Sequence, residues 1–250
     1  MQTKIISLII ATYNAEATLE RCLKSIISQK THEIELLIID GQSKDQTCNI
    51  IRKYSSYIDY FISEPDKGIY DAWNKGVKKS KGQWIMFLGA DDILVPDCFS
   101  YYLSYINSNE LSFIDIITAK ANVVNHHQKL LYIYGEPYSW NIFKYRMNIS
   151  HGSSLHNREL FQEIGYFDIN LKICADYEFL LRKKMRTQYC DKVMIYMEYG
   201  GVSNTIKGVI DAYRARKKQR SIPTIINILV VIRGVLSFYL RKFNICFCKK

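Results

Sequence analysis

The chain has 250 residues, of which 48% are hydrophobic and 23% charged, and its formal net charge is +10. This composition belongs to a globular protein long enough to bury a substantial core, and it excludes a disordered chain. No leader of charged, apolar and small residues precedes the first apolar run, and the seven cysteines are an odd number. We therefore expect a reducing, cytoplasmic environment in which the cysteines are small buried hydrophobes.

Four apolar runs predict the strands of a mostly parallel sheet. They cover residues 5–10, 34–39, 60–62 and 84–88. The segments between the first three have helical spacing, with apolar side chains on one face at Leu19, Cys22, Leu23, Ile26 and Ile27, and again at Ile50, Ile51 and Tyr54. Strands that alternate with helices predict an α/β fold with a right-handed, doubly wound sheet flanked by helices.

Polar residues follow each of these runs directly. The four groups are Thr12-Tyr13-Asn14, Asp40-Gly41, Glu64-Pro65-Asp66 and Asp91-Asp92. Because the carboxyl ends of parallel strands meet at one edge of a sheet, we expect these side chains to converge on a single crevice. Open α/β sheets bind their ligands at this edge.

The adjacent acids Asp91 and Asp92 are the strongest functional signal. Two carboxylates about 4 Å apart repel by roughly 4 kcal/mol at an effective dielectric of 20, and a divalent cation would offset that repulsion. The chain has no GxGxxG after its first strand and no GxxxxGK[ST], so it lacks the usual glycine-rich phosphate cradles. A metal on the two acids would then hold the phosphates of a nucleotide-activated substrate.

Four segments in order resemble the family 2 glycosyltransferases with the GT-A fold, especially bacterial enzymes of O-antigen and capsule assembly. They are SLIIATYNAEATLERCLKSI, ELLIIDGQSKDQT, SEPDKGIYDAWNKG and WIMFLGADD, and the resemblance covers about residues 3 to 203. It implies a GT-A fold and transfer of a sugar from a nucleotide diphosphate sugar, most often UDP-linked.

The resemblance also implies roles for residues at the strand ends. Donor binding would involve Thr12, Tyr13, Asp40, Asp66 and Asp91, the first three at the base. Asp91 and Asp92 would hold Mn²⁺ or Mg²⁺. Gly89 stands where many relatives carry the first acid of this metal motif, which leaves fewer protein carboxylates for the metal.

Simpler explanations remain open for several of these residues. Asp40-Gly41 is also typical of a turn after a strand, and Asp45 is also a typical cap for the following helix. Tyr13 and Trp73 are equally compatible with core aromatics.

In the second half, residues 173–182 predict a helix with Asp176 in its first turn. The helix macrodipole alone explains an acid there, and Glu178 and Arg182 are spaced as an ion pair on one helix face. The resemblance implies that Asp176 is the catalytic base, since this segment matches the one that carries the base in similar enzymes. It also implies that His151 lies near the acceptor or the donor diphosphate. We assign Trp73 to the same region, either at the acceptor or in support of the site.

The tail has a different composition, and we expect a boundary near residue 205 between a catalytic domain, 1–205, and a helical tail, 206–250. Residues 207–220 are rich in Lys and Arg with one acid, Asp211. The apolar side chains from Ile225 to Phe243 recur at helical spacing, which predicts an amphipathic helix. An apolar face flanked by basic residues fits an anionic membrane surface, and the alternative is packing on the catalytic domain or on a second subunit.

Together these features predict an inverting, metal-dependent glycosyltransferase at the inner face of the plasma membrane, with a lipid-linked saccharide as acceptor. A sugar nucleotidyltransferase is one alternative, although such enzymes usually carry a glycine-rich loop where this chain has ATYNAEATLE. A non-enzymatic, membrane-tethered binding protein is the other. We expect no nucleic-acid partner, because the basic residues cluster in the tail and not on an aromatic-laced sheet face.

Overall fold

The computed structural model describes residues 4–201 and 205–247, with side chains up to residue 240. Within these residues the strands are β1 Ile6–Thr12, β2 Ile34–Asp40, β3 Tyr60–Ser63, β4 Trp84–Gly89, β5 Ile93–Leu94, β6 Ile116–Val124, β7 Leu130–Tyr134, β8 Leu155–Asn157 and β9 Thr187–Glu198. They form one sheet in the order β3-β2-β1-β4-β8-β6-β9-β5, with β7 paired to β6.

The first half of this sheet is the predicted parallel unit. Strands β3, β2, β1 and β4 pair in parallel, so Thr12 lies beside Asp40 and Asp40 beside Ser63 at the carboxyl edge. The Ile, Leu, Trp, Met and Phe side chains of β1, β2 and β4 are fully buried. The predicted apolar runs 5–10, 34–39 and 84–88 therefore correspond to the central strands of the sheet.

Helices cover both faces of the parallel strands. Ile6, Leu8 and Ile10 of β1 pack in one cluster with the apolar face of α1. Ile9, which points the other way, lies against Gly76 of α3. The helices of this part are α1 Leu19–Ile27, α2 Thr47–Lys53, α3 Ile69–Lys79, α4 Cys98–Ser108 and α6 Arg158–Glu163. The alternation of side chains along β1 therefore produces the doubly wound arrangement.

The remaining strands add antiparallel pairs to the sheet. Strand β8 runs antiparallel to both β4 and β6, and β5 runs antiparallel to β9, whereas β6 and β9 are parallel. The sheet is thus mixed beyond β4.

By its internal packing the chain divides into two compact units. The first comprises residues 1–138, 148–167 and 185–199 and contains every strand described above. The second comprises residues 139–147, 168–184 and 200–250, with helices α5 Trp140–Phe143, α7 Ala175–Leu180, α8 Ile206–Gln219 and α9 Thr224–Phe247. The predicted tail is therefore part of a unit that also includes α5 and α7; the last residues of the predicted tail, 248–250, lie outside the described residues.

Helices α8 and α9 pack through small and polar residues. The Asn227 side chain of α9 accepts a hydrogen bond from Arg216 Nε (2.7 Å) and donates one to the Tyr213 carbonyl (3.2 Å). A Cβ on Gly234 would lie 3.0 Å from Val209 of α8. The apolar side chains of α9 instead face outward, and no helix among residues 4–201 and 205–247 is long and apolar enough to cross a membrane.

Candidate active site

The end of β2 places Asp40 in a fully buried nest of hydrogen-bond donors. Its carboxylate accepts from Thr12 Oγ1 (2.9 Å), Ser43 N (2.9 Å), Ser43 Oγ (2.5 Å), Ser63 Oγ (2.6 Å) and Cys48 Sγ (3.4 Å). Burial alone would raise the pKa of Asp40, but the bonds from Ser43, Ser63 and Thr12 outweigh burial and lower it. Asp40 is thus held as a carboxylate by the protein itself.

This nest limits what Asp40 has left for a ligand. A carboxylate offers about four lone-pair positions, and five donors already surround this one. A direct bond to a nucleotide base would require a protein donor to move. The turn explanation for Asp40-Gly41 therefore has structural support, while the predicted contact to the base stays a prediction.

Beside Asp40, the chain brings Tyr13, Gly41 and Asp66 together. A Cβ on Gly41 would lie 2.5 Å from Asp66 Oδ2 and 3.4 Å from Tyr13 Cδ2, so only glycine allows this approach. Asp66 Oδ1 accepts from the Gly68 backbone N–H at 2.8 Å. Tyr13 is 66% exposed and is not a core aromatic. Tyr13 and Asp66, which we call the base-end residues because Tyr13 is predicted to lie at the nucleotide base and Asp66 in the same donor pocket, are therefore close neighbours. The exposed ring of Tyr13 is accessible for stacking.

Asp45, by contrast, has the capping role that the sequence suggested. Its carboxylate accepts from Thr47 N at the start of α2 (3.0 Å) and from Glu16 N (3.0 Å). Asp45 thereby ties the β1–α1 loop to the start of α2.

The chain at the end of β4 folds into a tight turn over residues 89–92. This turn, which we call the metal turn, carries both predicted metal ligands. Asp92 N donates to the Gly89 carbonyl (3.2 Å), and Gly89 N donates to Asp92 Oδ2 (3.3 Å). A Cβ on Gly89 would lie 2.6 Å from Asp91 Oδ1 and 3.0 Å from Asp92 Oδ2. The two carboxylates therefore occupy the space that a side chain at position 89 would need. This explains why the chain has glycine where many relatives carry the first acid of the metal motif.

The electrostatics of this turn suit a cation. Asp91 is exposed and Asp92 is 8% exposed. Burial, together with the negative charges of Asp91 and Glu198, raises the pKa of Asp92 to about 8. Two converging oxygens with excess negative charge fit a hard divalent ion such as Mn²⁺ or Mg²⁺.

Protein ligands alone do not complete such a site. Across the described part of the chain, no group of three His, Cys, Asp or Glu side chains is arranged to hold a metal ion. Divalent ions of this kind usually take their remaining oxygens from water and substrate phosphates. Asp91 and Asp92 therefore fit a shared protein–substrate metal site and not a closed structural one.

His151 and Trp73 lie in an aromatic cluster next to this turn. The His151 ring stacks on Trp73 (centroids 5.2 Å apart) and on Phe87 (5.3 Å), and both His151 and Trp73 are buried. Burial lowers the pKa of His151 to about 3, so its imidazole is neutral. A Cβ on the adjacent Gly152 would lie 3.9 Å from Asp92 Oδ2. Trp73 is a core aromatic, and the position of His151 near the acceptor or the donor diphosphate stays a prediction.

In the second unit, Asp176 lies in the first turn of α7, where it is half-buried and accepts from Tyr177 N at 2.8 Å. Glu178 is fully buried and pairs with Arg182 Nη2 (2.6 Å) and Lys218 Nζ (3.1 Å). The predicted Glu178–Arg182 ion pair is confirmed. The role of Asp176 as the base stays a prediction.

Sequence reasoning missed two charged residues at the metal turn, Arg21 of α1 and Glu198 at the end of β9. Arg21 Nη2 donates to the Asp91 carbonyl (3.1 Å) and to Glu198 Oε2 (3.1 Å). No local sequence pattern identifies these contacts, because Arg21 is 70 residues from Asp91 and 177 residues from Glu198 along the chain.

Comparison with known proteins identifies the family of this chain. The chain matches the family described as glycosyl transferase family 2 over residues 7–185. A Mycobacterium bovis BCG protein named PGL/p-HBAD biosynthesis glycosyltransferase is 32% identical over 218 residues, 82% of each chain. A Rickettsia typhi protein named as an uncharacterized glycosyltransferase is 27% identical over 182 residues, 70% of this chain and 57% of that protein.

Two solved structures share the fold. S. aureus TarS 1-349 in complex with UDP-GlcNAc aligns with a TM-score of 0.67 and 19% identity over 92% of this chain and 71% of that one. The mannosyltransferase PcManGT from Pyrobaculum calidifontis, in complex with GDP-Man and Mn²⁺, aligns with a TM-score of 0.65 and 13% identity over 95% and 75%. The predicted GT-A fold is confirmed.

Proposed function

Because the chain belongs to glycosyl transferase family 2, it is a glycosyltransferase, and we propose that it transfers a sugar with inversion from a UDP-linked donor to a lipid-linked saccharide. This membership decides against a sugar nucleotidyltransferase and a non-enzymatic binding protein. The observation that carries the proposal is the placement of the base-end residues and the Asp91–Asp92 turn at the ends of neighbouring parallel strands. Assembly of a cell-surface polysaccharide, such as O-antigen or capsule, is the proposed setting.

The two strand ends have separate tasks in donor binding. Tyr13 and Asp66 would contact the base and its ribose, within the frame that Thr12 and Asp40 provide. Asp91 and Asp92 would hold Mn²⁺ or Mg²⁺ against the diphosphate. Such an ion neutralises the charge that develops on the leaving diphosphate. The UDP-GlcNAc bound by TarS and the Mn²⁺ bound by PcManGT support a nucleotide-sugar donor and a divalent ion.

Asp176 is the proposed base that accepts the proton of the acceptor hydroxyl. Inversion follows from a single displacement in which that hydroxyl attacks the face of the sugar opposite the leaving diphosphate. The neighbouring acids are committed elsewhere, since Glu178 is buried in its ion pairs and Asp168 pairs with Lys218 Nζ at 2.8 Å. Asp176 is the acid of α7 that keeps partial exposure.

Replacement of Asp176 tests this assignment. Asp176→Asn keeps the side-chain shape but removes the basic carboxylate, so kcat should fall by about two to four orders of magnitude while UDP affinity stays the same. Asp168→Asn, which breaks a surface ion pair, is the control and should keep kcat within about threefold. A kcat for Asp176→Asn within a few fold of the parent would show that Asp176 is only a helix-terminus acid.

The donor class is tested with a panel of UDP, GDP and dTDP sugars in the presence of Mn²⁺, scored by nucleotide release. Release should be greatest with a UDP sugar and should rise when a pyrophosphate-lipid saccharide is added. Preference for a GDP sugar would replace the uridine assignment. No release with any donor and acceptor pair would contradict the proposed transfer.

We place the enzyme at the inner face of the plasma membrane through α9. Its outward apolar side chains are Ile225, Ile226, Ile228, Leu229, Ile232, Leu236, Tyr239 and Leu240. The adjacent α8 is basic, with exposed side chains at Lys207, Arg214 and Lys217. An exposed apolar helix beside basic residues fits the headgroup region of anionic lipids.

The membrane assignment is tested without removing α9, because Ile222 and Asn227 at its start are buried. Leu229→Ser with Leu236→Ser should lower cosedimentation with phosphatidylglycerol vesicles at least about tenfold and leave transfer to a short soluble acceptor unchanged. Phe113→Ser, at an exposed aromatic of the first unit, is the control and should bind like the parent. Unchanged vesicle binding by the double variant would contradict the assignment.

A further inference from the structure

The side chains of α1 and of Gln29, two residues after this helix, contact the backbone from the end of β4 to the start of α4. Cys22 Sγ contacts the Gly89 carbonyl (3.6 Å), Ser25 Oγ accepts from Leu94 N (3.1 Å), and Gln29 bonds Val95 O (3.0 Å) and Phe99 N (3.2 Å). The metal turn lies in the middle of this segment. One helix therefore fixes the path of the chain on both sides of Asp91 and Asp92.

Arg21 supplies the contact at the turn itself. Its Nη2 donates to the Asp91 carbonyl and to the Glu198 carboxylate, each at 3.1 Å. Arg21 thus connects the backbone of Asp91 to the carboxylate of Glu198, at the end of β9.

The turn needs such a restraint because its two carboxylates repel each other when both are ionised, as metal binding requires. Asp91 is exposed, so the direction of its side chain depends on the backbone that carries it. Without a restraint, the repulsion favours conformations in which the two carboxylates separate. A metal ion binds more tightly when its ligands are already held in place.

We propose that Arg21 is a positioning residue that holds Asp91 and Asp92 in the arrangement that binds the metal–diphosphate end of the donor. This inference rests on the proposed function. Arginine suits the task better than lysine, because its planar guanidinium bonds two acceptors in fixed directions.

Removal of Arg21 should have opposite effects on metal binding, depending on whether Arg21 positions the turn or acts only through its charge. A guanidinium near a cation site repels the cation, so if only its charge mattered, its removal would strengthen metal binding. If Arg21 positions the turn, its removal weakens metal binding although a repelling charge has gone. Lysine keeps the positive charge of Arg21. In Arg21→Lys, metal binding should therefore match the parent if only charge matters, but should recover only slightly if positioning matters.

The experiment measures UDP affinity by isothermal titration calorimetry with and without Mn²⁺ in the full chain. The ratio of the two affinities isolates the metal end of the site, because the base-end residues contribute to both measurements. Thermal unfolding of each variant checks that it is folded. Arg21→Ala and Arg21→Lys are compared with Lys24→Ala, an exposed residue of the same helix that pairs with Glu20.

In the parent and in Lys24→Ala, Mn²⁺ should tighten UDP binding to the same extent. In Arg21→Ala that tightening should fall at least about fivefold, in Arg21→Lys at least about threefold, and UDP affinity without Mn²⁺ should change less than twofold. Equal or greater tightening in Arg21→Ala, or full recovery in Arg21→Lys, overturns the inference and leaves the proposed function intact. No tightening in the parent overturns the proposed metal site and this inference with it.

Discussion

The ends of β2 and β4 each bury an aspartate, but the protein treats the two carboxylates in opposite ways. Asp40 receives bonds from the side chains of Thr12, Ser43, Cys48 and Ser63, and its pKa is lowered. Asp92 accepts from the Gly89 backbone N–H and lies beside Asp91, and its pKa is raised to about 8. The protein itself compensates the charge of Asp40, and we propose that an external cation compensates that of Asp92.

This difference shows that burial alone does not identify a ligand-binding acid. The informative quantity is the balance between donors and neighbouring charges. By that criterion we propose that Asp40 supports the donor site from within the fold and that Asp92 binds the metal. Substitutions at the two strand ends should therefore affect different measurements.

The largest effect is expected at the metal turn. Asp92→Asn removes the carboxylate that would bind the metal, so sugar transfer with Mn²⁺ should fall by roughly three orders of magnitude. The free energy of unfolding without metal should stay equal or rise near pH 7, because folding no longer has to protonate a buried carboxyl whose pKa is raised. Asp97→Asn, in the exposed loop after β5, is the control for both measurements. Full activity of Asp92→Asn in EDTA would contradict the metal assignment.

A smaller effect, on stability, is expected at the end of β2. Asp40→Asn turns one acceptor oxygen into a donor, which then faces the Thr12 and Ser43 hydroxyls at Oδ1 or the Ser43 N–H and Ser63 hydroxyl at Oδ2. Either mismatch should lower the free energy of unfolding by about 2–4 kcal/mol. Urea unfolding measures it. Asp45→Asn, in the same loop, should cost about 1 kcal/mol or less. If Asp40→Asn unfolds like the parent and loses only UDP affinity, Asp40 is a direct ligand contact.

The sequence was sufficient for the strands whose apolar residues are continuous. Strands β1, β2 and β4 are buried on both faces, so their sequences carry a strong signal. Strand β9 was not predicted, because it mixes polar and apolar residues and pairs with β6 through two register shifts. Strand β8 has three residues, two of them polar, and only its neighbours β4 and β6 define it.

For the site, the acids at the strand ends could be predicted, but the groups that set their charge could not. Ser63 reaches Asp40 from 23 residues away, and Arg21 reaches Glu198 from 177 residues away. Such contacts exist only after the sheet and its loops have assembled. The helix α9 shows a similar limit, since periodicity predicted its apolar face but not that Asn227 and Gly234 would form the contact with α8.

Two buried histidines show a third outcome of burial, in which the side chain is held neutral. They give the smallest expected effect, a pH dependence of the free energy of unfolding. Burial lowers the pKa of His151 to about 3 and that of His156 well below its ordinary value. The unfolded chain binds these protons near pH 6.5, so the free energy of unfolding should fall as the pH drops from 7 to 5, by about 2 kcal/mol for each imidazole. Urea unfolding across this range measures the slope, which does not depend on the absolute stability of a variant. His156→Gln should remove about half of this histidine contribution, whereas His32→Gln, at an exposed position, should keep it. An unchanged slope in His156→Gln would mean that the folded protein admits the proton, and burial would then not decide the charge state in this cluster.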